Sequence, residues 1–493
     1  MTMIGVSRRL PQSRRNLLMN GDTSMTGSES RGAGSWRLWL GYAAMIAGTI
    51  GLFLVVRTFG ERMSPLAADT VDAGGGGKSS GAAAHPMMHV LLALLAIILL
   101  GRWLGQVFRH FGQPRVIGEM VAGIMLGPSL LGRISPEAMN FILPQEVGPY
   151  LGIIAQLGVI LYMFLVGLEL NAGLLRSHAH ATVAISHASI VAPFALGTLL
   201  ALWLYQSLAP ATTPFTSFAL FMGVAMSITA FPVLARILTD RRMDKTELGV
   251  VALSCAATDD VTAWCLLAFV VGVAQSEVGG AVQTVVLALV YIALMFVAVR
   301  PLLNRYFGHD AKKHPAPRMA VWVLVALLMS ALAAEWIGIH AIFGAFLLGA
   351  IIPHDSDVAR DFQHKLQDIV KILLLPAFFA YTGMRTEIGL ISGWQEWLIC
   401  GVIILVATLG KFGGTLLAAR FTGLNWRTSA ALGILMNTRG LMELVVLNIG
   451  LELGVISPTL FAMMVIMALV TTIATTPVLQ WLTAGEYSAG RIR

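Results

Sequence analysis

Apolar runs of about 18 residues or more recur from Trp36 to Leu482. As a helix, each is long enough to cross a hydrocarbon layer roughly 30 Å thick. Such a layer offers the backbone no water, so a spanning segment must be a helix or a strand of a closed barrel. Barrel strands alternate apolar and polar residues, whereas these runs are continuous. The chain therefore reads as an all-α polytopic membrane protein. Its charged fraction agrees: 12% of 493 residues, against about 25% in soluble domains.

The runs fall at approximately 38–56, 87–107, 115–132, 149–170, 181–205, 215–238, 246–273, 279–299, 318–334, 337–353, 367–386, 395–418, 427–452 and 457–482. Lys and Arg collect on the cytoplasmic side of membrane proteins. Arg8, Arg9, Arg14, Arg15, Arg31 and Arg37 precede the first run and place the N-terminus inside. Alternating spans then put the basic loops Arg102 to Arg115, Arg236 to Lys245, Arg300 to Arg318, Arg360 to Lys371 and Arg420 to Arg427 on the same face. Arg133 and Arg385 are the main exceptions. The formal charge of +7 is thus a matter of topology and does not call for nucleic acid.

Five segments follow from this pattern. Residues 1–37 are a basic cytoplasmic segment, and 38–56 an extra N-terminal anchor or a long signal peptide. Residues 57–86, ending in "DAGGGGKSSGAAAHP", form a Gly/Ser-rich linker. Residues 87–483 are the transmembrane domain and 484–493 a short cytoplasmic tail. Cys255, Cys265 and Cys400 lie inside apolar runs and read as small core residues rather than a disulfide framework.

Two spans are interrupted. "SITAFPV" (227–233) carries Pro232, which lacks a backbone donor and disfavours helix in the residue before it. "MNTRGLMEL" (436–444) places Asn437, Arg439, Gly440 and Glu443 inside an apolar run. Loose backbone is tolerated at membrane depth only where protein or a water-filled site encloses it. The interrupted spans are the sixth and thirteenth, so they run in opposite directions. Five-helix units at 115–273 and 337–482 would then be inverted repeats, a transporter plan with its site where the broken helices cross.

"SCAATDDVTAW" (254–264) sets Asp259 and Asp260 midway along the next span. An acid at a helix centre costs about 2.5–3.5 kcal/mol on insertion scales, and such residues persist mainly on ion or proton pathways. Neighbours on a helix point about 100° apart, so the two acids are expected to divide their work. Burial disfavours a charged carboxylate and a nearby cation favours it. One acid would exchange a proton for a metal cation, and the other would be held by a positive partner. Lys411 in "VATLGKFGGTLLAAR" (406–420) is the natural partner unless it snorkels to the surface. Gly410, Gly413 and Gly414 beside it would admit a neighbouring helix.

Other polar residues carry weaker signals. Arg439 and Glu443 stand at i and i+4 and can pair to brace the second broken helix. Glu119 is placed as a support that pairs across the core. Glu335 and His340 either gate an outer vestibule or satisfy a tight interhelical turn. His178, His180 and His187 read as a solvated loop rather than a metal cluster. The chain has no H-E-x-x-H, no P-loop and no G-x-S-x-G with a triad, so protease, ATPase and hydrolase chemistries are not expected, nor is a cofactor.

Eight collinear motifs across residues 87–483 carry a family resemblance. They are "RVIGEMVAGIMLGPSLLGR" (115–133), "FLVGLEL" (164–170), "SITAFPVLARIL" (227–238), "ATDDVTAW" (257–264), "GIHAIFGAFLLGAIIP" (338–353), "LPAFFAYTGMRTEI" (375–388), "LGKFGGT" (409–415) and "MNTRGLMELVVLNIG" (436–450). The chain resembles the monovalent cation/proton antiporters of the second superfamily, in particular the cation/proton exchanger branch of plants and fungi and its bacterial relatives.

The resemblance implies about 13 transmembrane helices, usually in a homodimer, with a core domain moving against a dimerisation domain. It implies exchange of Na⁺ or K⁺ for protons across a lipid bilayer, here expected to be a bacterial inner membrane. It maps the ion-carrying carboxylate onto Asp260, the lysine-paired acid onto Asp259, and the crossing onto Thr229 and Asn437. The run at 38–56 is an extra helix beyond that pattern. A pH or cation sensor, or a channel-like pathway, remains the alternative on the same fold.

Overall fold

The computed structural model describes residues 31–63, 86–169, 179–275, 278–308, 316–353 and 356–487. Among them every regular element is a helix. The chain divides into two units, 1–48 and 49–493. Of the first, the described residues are the start of helix α1 (Arg31–Gly60).

The remaining long helices are α2 (Pro86–His110), α3 (Arg115–Leu126), α4 (Gly148–Glu169), α5 (Ala179–Leu208), α6 (Phe215–Ser227), α7 (Phe231–Asp240), α8 (Glu247–Gln275) and α9 (Val278–Leu294). Then come α10 (Ala316–Ile337), α11 (Ala341–Ile351), α12 (Leu375–Arg385), α13 (Trp394–Thr408), α14 (Gly414–Phe421), α15 (Trp426–Met436), α16 (Leu441–Glu452) and α17 (Pro458–Tyr487).

Twelve described segments are long and apolar enough to cross a membrane, or thirteen with the α15–α16 pair, which bends by 45°. The expected span at 337–353 is helical only over the 11 residues of α11, about 16 Å at 1.5 Å per residue. Gly338 and His340 cut it short, both with positive φ. The first helix begins at Arg31, inside the segment expected to precede it, and continues to Gly60, into the expected linker. Residues 1–30, 64–85 and 488–493, which include most of the proposed leader, linker and tail, lie outside the described residues.

The helices sort into two packed groups, each drawing on both halves of the chain. The first holds α2, α3, α4, α10, α11 and α12. The second holds α5 to α8 and α13 to α17. Small residues set how close helices come. An added methyl at Gly123 of α3 would fall on the Phe379 carbonyl oxygen of α12, and one at Gly383 of α12 would fall on the Gly123 carbonyl. Neither backbone can yield. Gly123→Ala is therefore expected to cost about 1–3 kcal/mol, read as a lower melting temperature of the solubilised protein. Gly401→Ala, on a helix face with nothing nearby, is expected to hold or raise it.

The C-terminal part of α1 packs on the second group. Phe53 meets Phe194 of α5 at 6.4 Å between rings. Arg57 and Thr216 both hydrogen-bond Glu61 and hold its carboxyl below the usual value. Cys255 and Cys400 are buried, while Cys265 is exposed. This corrects the reading of all three as core residues: Cys265 lies on the face of α8 turned away from its neighbours.

Candidate functional site

The two interrupted spans meet in the second group. Between α6 and α7 the helix is open at Ile228, Thr229 and Ala230, because Pro232 at the start of α7 has no N–H to give to the preceding turn. Between α15 and α16 it is open from Asn437 to Gly440. Ala230 N–H donates to the Thr438 carbonyl at 2.9 Å. The Thr229 hydroxyl lies 3.2 Å from the Met436 carbonyl and 2.9 Å from Asp259 Oδ2, and can donate to one at a time.

Opening a helix leaves carbonyls without intrahelical partners. At the C-terminal end of α6 the side chains of two cations take them. Arg439 donates to the Ala225 and Met226 carbonyls at 2.8 and 2.6 Å, and Lys411 donates to the Ser227 carbonyl. Cations there also complement the negative end of the helix dipole. Lys411 further donates to the Ser189 carbonyl at 3.0 Å. That carbonyl is free because Pro193, four residues on in α5, cannot bond back to it.

Lys411 reaches this position from a π turn, Leu409–Gly413, which links α13 to α14. Gly410 lies against Pro193, where an added Cβ would come within 2.7 Å of its Cα. Gly414 also faces α5, whereas Gly413 meets nothing within 4 Å.

Lys411 Nζ lies 3.0 Å from Asp259 Oδ2, with both side chains fully buried. Asp259 also accepts from Ser186 Oγ and Ser189 Oγ, each at 2.6 Å. Counting Thr229, four donors surround this carboxylate. Asp260 is its opposite. It is 1% exposed, lies beside the Phe231 backbone at the start of α7, and keeps Oδ2 without a partner.

Asn437 Oδ1 and Glu443 Oε1 are the other unpartnered buried oxygens from the singled-out residues. Glu443 pairs through its second oxygen with Arg439 at 2.9 Å, both fully buried. Arg439 is also held at its backbone: Thr472 Oγ1 accepts from its N–H at 3.0 Å and lies 2.7 Å from its carbonyl.

Glu119 belongs to the other helix group. It lines a cavity of about 400 Å³ together with Tyr162, Glu169, Arg236 and Lys371, and this cavity reaches Pro232 and Leu441 at the two interruptions. Arg102 and Arg115 act on it electrostatically, and it forms no ion pair among the described residues. It therefore faces the route to the crossing and does not brace the helices around Asp259. Glu335 accepts from the Ala341 N–H at 2.7 Å and His340 Nδ1 from the Ile342 N–H at 3.5 Å, so both satisfy the turn into α11. His178 lies outside the described residues, and His187 bonds back to Val183 on its own helix. No cluster of three metal-ligating side chains occurs among the described residues.

Ser186 and Ser189 drew no attention in the sequence because a serine in an apolar helix commonly bonds its own backbone. Their one available signal is spacing: three residues apart, they share a face of α5.

Known proteins are similar to most of the chain. The family described as sodium/hydrogen exchanger, transmembrane, matches residues 91–484. The chain is 44% identical over 396 residues to the Na⁺/H⁺ antiporter NhaS4 of Synechocystis, covering 80% of this chain and 97% of that protein. It is 38% identical over 398 residues to cation/H⁺ antiporter 17 of Arabidopsis thaliana, covering 80% of this chain and 48% of the relative. It is 34% identical over 420 residues to K⁺/H⁺ antiporter 1 of Saccharomyces cerevisiae, covering 83% and 48%. The chain thus spans about half the length of the plant and yeast relatives.

The sodium proton antiporter MjNhaP1 of Methanocaldococcus jannaschii has the same fold, with a TM-score of 0.58 at 16% identity over 82% of this chain and 99% of that one. With its apolar spans, its crossed interruptions and this match, the chain is an integral membrane protein that belongs to the transmembrane sodium/hydrogen exchanger family.

Proposed function

We propose that this protein is a secondary transporter that exchanges Na⁺ or K⁺ for protons by alternating access. The observation that carries the reading is the unpartnered, buried Oδ2 of Asp260 beside a neighbour, Asp259, whose oxygens are already taken. A carboxylate oxygen in a dry interior requires a proton or a cation. It holds one or the other, so the two ions compete, and their fluxes are coupled without ATP.

Thr229 and Asn437 would add oxygens from the two interruptions, and the N-terminus of α7 compensates the charge when the site is empty. Lys411 holds Asp259, and Arg439 with Glu443 keeps the second interruption open. Glu119 lines the approach. The relatives, which are named Na⁺/H⁺, K⁺/H⁺ and cation/H⁺ antiporters, support the same reading.

In this proposal residues 87–483 form the transport domain and 38–56 an accessory anchor joined by the linker 57–86. The segments 1–37 and 484–493 are both cytoplasmic, in a homodimer embedded in the lipid bilayer of a bacterial inner membrane. The test uses inside-out vesicles energised to an acid interior and loaded with a pH-sensitive dye. Addition of Na⁺ or K⁺ is expected to release protons and restore the fluorescence, and the ion that does so is the substrate. Silence to both ions, with folded protein present in the vesicles, would overturn the proposal in favour of a sensor.

A further inference from the structure

A cavity lies between the two helix groups at one end and a polar cluster bridges them at the other, while Gln113 of the first group also donates to the Ile473 carbonyl of the second at 3.0 Å. Helices α4, α12 and α16 run between these ends. At one end Glu169 of α4, Pro376 of α12 and Leu441 of α16 line the cavity of about 400 Å³. At the other, Gln156 of α4, Tyr381 of α12 and Glu452 of α16 line a space of about 20 Å³, room for about one water molecule.

A polar cluster closes that second end. Arg385 Nη1, on α12 of the first group, lies 2.8 Å from Glu452 Oε1 and 3.4 Å from Asn448 Oδ1, both on α16 of the second. Asn448 Nδ2 donates to Thr382 Oγ1 at 2.9 Å, and Tyr381 OH lies 3.4 Å from Glu452 Oε1. Each of these bonds crosses from one group to the other. The Arg385 guanidinium also stacks over the Tyr381 ring at 5.0 Å, which fixes its direction.

We propose that Arg385 and Glu452, aided by Asn448 and Thr382, are the closure that seals this end while the site communicates with the cavity. They must part for Asp260 to face the opposite side. The proposal rests on the exchange reading for its role in a cycle. Its strength suits that role. The Arg385 and Glu452 side chains are 23% and 29% exposed, and a partly hydrated pair contributes little enough to be broken repeatedly. The fully buried Lys411–Asp259 pair lies within one group, where nothing requires it to part.

The test is labelling of Val445→Cys, in the small space, by a membrane-impermeant maleimide applied from the side away from the cavity. The full-length protein is used with Cys255, Cys265 and Cys400 replaced by alanine, and folding is checked by monodispersity. Arg385→Gln and Glu452→Gln are each expected to speed labelling about fivefold, the population shift expected when such a pair is lost. The exchanged pair Arg385→Glu with Glu452→Arg is expected to return the rate toward the parent. Labelling at the parent rate in both single variants, or no recovery in the exchanged pair, overturns the closure. The labelling reports which end is open, so a failure of exchange in vesicles is a separate result.

Discussion

Asp260→Asn is expected to abolish proton-coupled cation flux while leaving the protein folded and more stable to heat. The amide keeps the shape of the carboxylate, but it neither titrates nor neutralises a cation. Exchange should fall to that of vesicles without the protein. The gain in stability has the same cause. Without a bound cation the carboxylate must take up a proton or carry a charge in a dry interior at a cost of roughly several kcal/mol, and the amide does neither. Fluorescence recovery in energised vesicles and melting of the solubilised protein read the two effects separately. Normal flux through Asp260→Asn would move the ion-carrying role to another residue.

The second large effect concerns Lys411. Lys411→Met would leave the Ser189 and Ser227 carbonyls unmatched and Asp259 buried with hydroxyl donors only. Breaking a buried pair by removing one partner costs about 3–5 kcal/mol. Asp259→Asn is expected to be milder, since the lysine keeps two carbonyls and the amide can still meet Ser186 and Ser189. Because replacing both members of a buried pair is often close to neutral, Asp259→Asn combined with Lys411→Met should melt above the Lys411 single variant. Melting curves of the three variants give the coupling energy. Strict additivity would mean that the 3.0 Å contact contributes nothing to stability.

Much of this architecture was legible because membrane physics leaves few options. Continuous apolar runs marked the spans, and Pro232 and the Asn437–Gly440 stretch marked where helices open. The shortness of α11 was hidden, since Gly338 and His340 break the helix while the run around them stays apolar. Buried ionisable residues announced that they needed partners, and those partners were only partly readable. The Arg439–Glu443 pair is local, four residues apart. The grip of Arg439 on the Ala225 and Met226 carbonyls joins residues more than two hundred positions apart through backbone atoms, which carry no sequence signature. Ser186 and Ser189 were missed for a similar reason: small hydroxyls become informative only once the acid they face is known. Glu119 reads from the sequence as a support pairing across the core, but a lone acid in a span does not reveal which helix group it joins.

The fully buried carboxylates and cationic side chains among the described residues are Asp259, Asp260, Glu443, Lys411 and Arg439. Two of the acids are matched to the two bases at 3.0 and 2.9 Å, which leaves Asp260 with a formal negative charge that no buried base matches. In the proposed cycle a proton or a monovalent ion cancels that charge, so either loaded carrier is neutral. The empty carrier would have to drag a bare carboxylate across an apolar seam, at a cost set by its lost hydration. Slippage is therefore penalised by electrostatics alone. A third base within reach of Asp260 would be expected to uncouple the exchanger, letting it shuttle empty and dissipate the gradient.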